Sequence, residues 1–169
     1  AGGSWSTHLA RELDIQLWME PAKGYSVTFK RPPSCPDIPF MMAETKVVLI
    51  PMDDMLRFAG TLELAGFDMS INHRRLEAIL KSIPDYFPDF DRDTLELIEI
   101  WRGLRPCSPD GLPYIGRPRR YDNVILATGH GMKGISLAPV TGKLVAQLAA
   151  HEQPPIDLTC LSIDRFSPK

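Results

Sequence analysis

Residues 123–139 read NVILATGHGMKGISLAP, and the fold turns on how this stretch is understood. Gly129-His130-Gly131-Met132-Lys133-Gly134 spells G-x-G-x-x-G. It follows a strand-like run, Val124 to Leu126, and opens a helix-like run, Leu137 to Leu148. The pattern suits a tight strand-to-helix turn whose helix N-terminus faces an anion. A dinucleotide-binding βαβ unit needs, in addition, a second parallel strand ending in an acidic residue about 20 residues further on. Glu152 stands near that distance, but Pro154-Pro155 follow it and no apolar strand leads up to it. The full fingerprint therefore fails. What survives is local: converging backbone N–H groups and a helix dipole, a nest for an anion or for the negative edge of a reduced flavin ring. On spacing alone, a glycine turn needed only for close packing is the simpler reading.

The rest of the chain sets bounds. Its 169 residues are 44% hydrophobic and 24% charged with a net charge of -2, the profile of an ordinary globular protein. No Lys/Arg block marks it for nucleic acid or for an anionic membrane surface. No apolar run reaches membrane-spanning length, and the N-terminus lacks the order of a signal peptide. Cys35, Cys107 and Cys160 are odd in number and widely separated. That spacing predicts a reducing, cytoplasmic compartment without disulfides. His8, His73, His130 and His151 are scattered, so no metal site is expected.

Between the ends, periodicity predicts an antiparallel sheet carrying a helix. Ser4 or Ser6 is a candidate cap for a short helix through Leu13. Residues 23–30 (KGYSVTFK) alternate like a strand, and RPPSCPDIP is a proline-punctuated loop. TKVVLIP (45–51) and MLRFAGTLEL (55–64) read as a hairpin turning at Asp53-Asp54. Asn72 is a fair N-cap for HRRLEAILKSIPDYF, where Leu76, Ile79, Leu80 and Ile83 recur at helical spacing. TLELIEIWRGL (94–104) reads as a long strand with Leu95, Leu97, Ile100 and Trp101 as its apolar residues. A Pro109-Asp110-Gly111 turn, the short run PYIG, the strand NVILAT and the last helix complete the chain.

Upstream of the glycine turn stands WRGLRPCSPDGLPYIGR (101–117). Arg105 lies at a strand end inside an apolar stretch, where a guanidinium takes a carboxylate bidentately or closes a structural ion pair. Arg57, Glu63 and Arg102 share that ambiguity, and alternation puts Arg102 on the face opposite Arg105. Cys107 with His130 gives only a weak signal for a nucleophile and base, since nothing in the sequence lowers the thiol pKa or places a third, orienting residue, and a small buried cysteine is the simpler reading.

Taken together, KGYS, RFAGTLELAGF, WRGLRPCSPDGLPYIGR and GHGMKGISLAPVTGKL resemble the C-terminal half of the FAD-dependent D-amino acid oxidoreductases, the group of D-amino acid dehydrogenase and glycine oxidase. AGGSWS resembles the segment with which that family's flavin domain meets its cofactor. The resemblance implies an α+β fragment: residues 1–22 a remnant of the FAD-binding domain, 23–104 the antiparallel-sheet substrate domain, and 105–169 a flavin-facing strand, glycine turn and helix. The N-terminal Rossmann part is then missing, and with it most contacts to FAD. By resemblance Gly129, His130, Gly131, Met132, Lys133, Gly134 and Ile135 face the flavin ring, Arg105 binds the substrate carboxylate, and Glu63 approaches an amine or polar group of the substrate. The implied reaction is hydride transfer from a D-amino acid Cα to FAD, giving a 2-oxo acid after hydrolysis, in an enzyme incomplete and inactive as this piece. A quinone acceptor would bring the complete enzyme to a membrane surface. Met132 stands where glycine oxidase-like members carry an arginine, and VVLIP offers no tyrosine, so the resemblance points away from glycine and sarcosine. A stand-alone carboxylate-binding module without redox chemistry is the alternative, and a Cys107 hydrolase ranks last.

Overall fold

The computed structural model describes residues 2–88 and 91–167; Ala1 of the AGGSWS segment lies outside them. The chain divides into two units, residues 23–103 and residues 1–22 with 104–169. Strands β1 (Glu20–Lys30) and β5 (Leu97–Cys107) run across the division.

In the 23–103 unit the sheet is completed by β2 (Phe40–Met42), β3 (Val47–Met52) and β4 (Met55–Leu64), in the order β2-β3-β4-β1-β5. The β3–β4 hairpin is antiparallel, with Met52 opposite Met55, so Asp53-Asp54 form its turn as expected. The short strand β2, antiparallel to β3, was not legible in the proline-rich loop that precedes it. Helix α2 (His73–Lys81) lays Leu76, Ile79 and Leu80 on Tyr25, Val27, Phe29, Leu49, Leu56 and Phe58. Asn72 caps it, its side chain accepting from the Arg75 N–H at 3.4 Å. The expected single helix breaks at Ser82, and α3 (Ile83–Tyr86) begins anew around Pro84, whose missing N–H is harmless only in a first turn.

Both long strands form as expected, but two features of their burial were not legible in the sequence. β1 is buried along both faces, Lys23, Ser26 and Thr28 included, because it lies between β4 and β5 and does not alternate in and out. Trp101 is not a core residue: it is 53% exposed. Its indole lies across Gly103, where an added Cβ would fall 2.2 Å from indole Cη2.

The other unit begins with a single 3-10 turn, Gly3–Trp5, and helix α1 (Ser6–Glu12). Neither serine caps α1; its N-cap is Trp5, whose side chain makes no capping hydrogen bond. Strands β6 (Tyr114–Gly116) and β7 (Leu126–Thr128) pair antiparallel, and α4 (Gly134–Ala149) follows the glycine turn, three residues earlier than its apolar run suggests. A second core gathers Ala10, Ile15, Leu17, Tyr114 and Ile163.

Candidate functional site

The glycine turn is built by positive φ angles that side chains resist: Gly129 has φ +78° and Gly131 φ +55°. Gly131 N–H donates to the Pro106 carbonyl at 2.9 Å, and His130 forms a β-bridge with Cys107. The turn is thereby tied to the end of β5, one residue beyond Arg105. Lys133 N–H closes on the His130 carbonyl at 3.0 Å, and α4 starts with Leu137 N–H on the Lys133 carbonyl at 2.9 Å. The N–H groups of the first helical turn have no partners within the helix and form its positive end. Met132 and Ile135 stand beside it in solvent, 76% and 94% exposed.

His130 Nε2 lies 3.1 Å from Thr141 Oγ1, and burial lowers the imidazole's pKa, favouring its neutral form. Burial raises the Cys107 pKa, with the nearby Arg105 charge only partly opposing it. A nucleophilic cysteine needs the reverse shift, so the hydrolase reading has no support. Arg105 itself is half-buried on β5.

Glu63 belongs to the 23–103 unit and sits in a polar network. Its Oε2 accepts from Tyr25 OH at 2.6 Å and lies 3.6 Å from Lys23 Nζ. Its Oε1 accepts from Asn72 Nδ2 at 3.1 Å and lies 3.6 Å from Arg75 Nε. Thr61, two residues before it, has φ +68°, a rare conformation for a β-branched residue. Up to Gly60 the even-numbered residues of β4 face α2; beyond Thr61 the odd-numbered Glu63 reaches that side, where Asn72 caps the helix. Lys23, whose side chain is 0% exposed, joins Asp68 at 2.8 Å and donates to the Ser70 carbonyl at 2.9 Å. The Tyr25 hydrogen bond lowers the Glu63 pKa, the Lys23 hydrogen bond holds Asp68 well below its ordinary value, and the Asp68 bond raises Lys23 despite burial. On the far side of the sheet Arg57 Nε donates to Thr28 at 2.9 Å, while Arg102 donates to the Met69 carbonyl. Both are therefore structurally engaged.

Among the described residues no group of three metal-ligating side chains converges, and no helix is long and apolar enough to cross a membrane. Periodicity did not single out Tyr114 or Arg165, though Tyr114 packs directly under the glycine turn: a Cβ at Gly129 would meet its ring at 3.0 Å.

The sequence matches the FAD-dependent oxidoreductase family over residues 1–148. It is 35% identical to a D-amino acid dehydrogenase of Bradyrhizobium diazoefficiens and 38% identical to one of Chromohalobacter salexigens, each alignment covering 98% of this chain and 39% of the relative. The chain thus spans about two fifths of the length of these relatives. Its structure superposes on glycine oxidase from Geobacillus kaustophilus with a TM-score of 0.86 at 28% identity, covering 96% of this chain and 44% of that one. The L-proline dehydrogenase of P. horikoshii shares the fold at a TM-score of 0.82 and 19% identity, over 98% of this chain and 46% of its own. A family match over most of the chain, together with relatives this similar, decides the matter: the chain belongs to the FAD-dependent oxidoreductase family.

Proposed function

We propose that the chain is the substrate-binding and C-terminal portion of a flavoenzyme that oxidises a D-amino acid, or a related amino or imino acid, to its 2-oxo acid, and that it is inactive alone. The observation that carries this reading is the tie between the Arg105 strand and the glycine turn, made by the Gly131 N–H···O=C Pro106 bond. That bond sets a carboxylate anchor beside the residues suited to a flavin ring. The fit to a ring rests on Met132 and Ile135, apolar yet exposed at the N-terminus of α4, and on the open side of Gly131, where a Cβ would meet nothing nearer than Cys107 Sγ at 3.9 Å. The bound flavin would supply the hydride acceptor.

Everything else falls to side chains of this protein. Arg105 grips the substrate carboxylate with its fork and fixes which hydrogen on Cα is presented. The positive end of α4 favours negative charge on whatever lies before it. His130 stays neutral and holds the turn through Thr141. Glu63 acts on the substrate domain through its network, because both of its oxygens already accept intramolecular bonds. The substrate loses a hydride and a proton to become an imino acid, and water then releases ammonia and the 2-oxo acid. Cys107 takes no part. A D-amino acid or a cyclic imino acid is the expected substrate, as Met132 offers no second guanidinium.

The test uses the natural full-length protein. Anaerobic addition of D-amino acids should bleach its flavin absorbance, and Arg105→Ala should raise KM by about 10²-fold or more, the worth of a lost charged hydrogen-bond pair. A full-length protein that carries no flavin yet binds small carboxylates through Arg105 would overturn this reading in favour of a binding module. A near-normal KM in the Arg105 variant would remove that residue from the site.

A further inference from the structure

The segment after α4 has no periodicity, yet its residues are firmly held. Ile163 is buried with Tyr114, Ile15 and Leu17. Arg165, with a side chain only 9% exposed, uses every N–H it has. Nε and Nη2 donate to the two oxygens of Asp110 at 2.8 and 2.9 Å. Nη2 also donates to the Leu112 carbonyl at 2.8 Å, and Nη1 to the carbonyls of Ser162 at 3.1 Å and Pro113 at 3.4 Å. The guanidinium carbon lies 3.8 Å from the centroid of the Tyr114 ring.

Tyr114 carries this contact to the glycine turn. The ring is fully buried, its hydroxyl donates to the Trp18 carbonyl at 2.7 Å, and its backbone is paired with Thr128, the residue before Gly129. The Cδ2 edge of the ring is the nearest neighbour on the side of Gly129 where a Cβ would project, at 3.0 Å. The position of the ring therefore limits where the Gly129 backbone can lie.

We propose that Arg165 is a positioning residue for the glycine turn, acting through Asp110 and the stacked Tyr114 ring. A fork engaged at five donors and stacked on a buried ring is unlike an exposed ion pair, which contributes little. Lysine keeps the charge but reproduces neither the fork nor the stacking. The consequence for catalysis rests on the reading above, that the turn faces a flavin; the mechanical coupling does not.

Hydrogen–deuterium exchange by mass spectrometry on the natural full-length protein and its Arg165→Lys variant tests the coupling. Peptides covering 126–134 should exchange about tenfold faster in the variant, while those covering 47–64 keep wild-type rates. Faster exchange confined to 159–167 would mean that Arg165 anchors only the tail, and the proposal falls. Asp110→Asn keeps the stacked arginine and weakens one anchor, so it serves if the lysine variant does not fold; it should loosen 126–134 to a smaller degree, and no change there also overturns the idea. In the flavin-loaded protein, Arg165→Lys should shift the flavin spectrum and lower kcat while KM stays within about twofold, since Arg105 is untouched. Absence of flavin in the wild type would sink the functional reading and leave the exchange result standing. Normal exchange with normal turnover would sink the coupling and leave the function.

Discussion

Lys23 places an ammonium in a fully buried position, and its partners show how that is sustained. A buried ammonium persists only where charge partners and hydrogen bonds replace its water, and here Asp68, Glu63 and the Ser70 carbonyl do so. The linkage follows from the directions of the shifts. Glu63 and Asp68 have folded pKa values below their unfolded ones, so their stabilisation is complete above about pH 4 and is lost as pH falls through the folded values. Lys23 is raised, so its contribution is complete below its unfolded value near 10 and is lost as pH rises through the folded one. We expect urea midpoints on a plateau between these limits, falling on the acid side. Lys23→Met removes the largest cause of the Asp68 shift, so carbon-13 NMR should show Asp68 titrating closer to an ordinary aspartate. Tyr25→Phe should do the same for Glu63, and an unmoved Asp68 titration in the Lys23 variant would contradict the network.

The strands and helices divide into those that announce themselves and those that are decided elsewhere. The β3–β4 hairpin and α2 were legible because their apolar residues recur with a fixed period and are bounded by Asp53-Asp54 and by Asn72. Asn72→Ala should cost about 1 kcal/mol in urea unfolding, from the cap alone. The exposure of Trp101 was not legible, because alternation cannot register that a neighbouring Gly103 leaves room for an indole lying along the strand. The change of side after Thr61 is equally invisible, since a positive φ at threonine follows no pattern of residue type. Arg105 was singled out by its apolar neighbours, whereas the Arg165–Asp110 pair spans 55 residues without periodicity and only the fold joins it. The turn offers the sharper comparison. Gly129→Ala meets both an unfavourable φ and the held Tyr114 ring, and should cost about 2–4 kcal/mol. Gly131→Ala meets the φ alone, at about 1–2 kcal/mol. Equal destabilisation of the two variants would show that the ring does not confine Gly129.

Across the molecule the decisive fact is one of proportion: the chain aligns almost end to end with D-amino acid dehydrogenases yet spans 39% of their length. Its only G-x-G-x-x-G lies before α4, and among the described residues no strand follows that helix, which supports the ring-facing reading proposed above over a dinucleotide-binding βαβ unit. The 1–22 and 104–169 unit also leaves the apolar side chains of Trp5, Leu9, Trp18 and Ile135 exposed. These observations lead to one prediction. If, as proposed, most phosphate and ribose contacts come from the part of the relatives' length that this chain does not span, FAD mixed with residues 1–169 alone should wash out on gel filtration. The natural full-length protein should retain FAD, and iodide should quench its Trp5 and Trp18 fluorescence less than in the 169-residue chain, with Trp101→Phe introduced in both to remove the third indole. Retention of stoichiometric FAD by the 169-residue chain would mean that the glycine turn and α4 hold the cofactor unaided. In that case the nest would have to bind the phosphates after all, and the orientation proposed for Arg105 relative to the ring would have to be rebuilt around it.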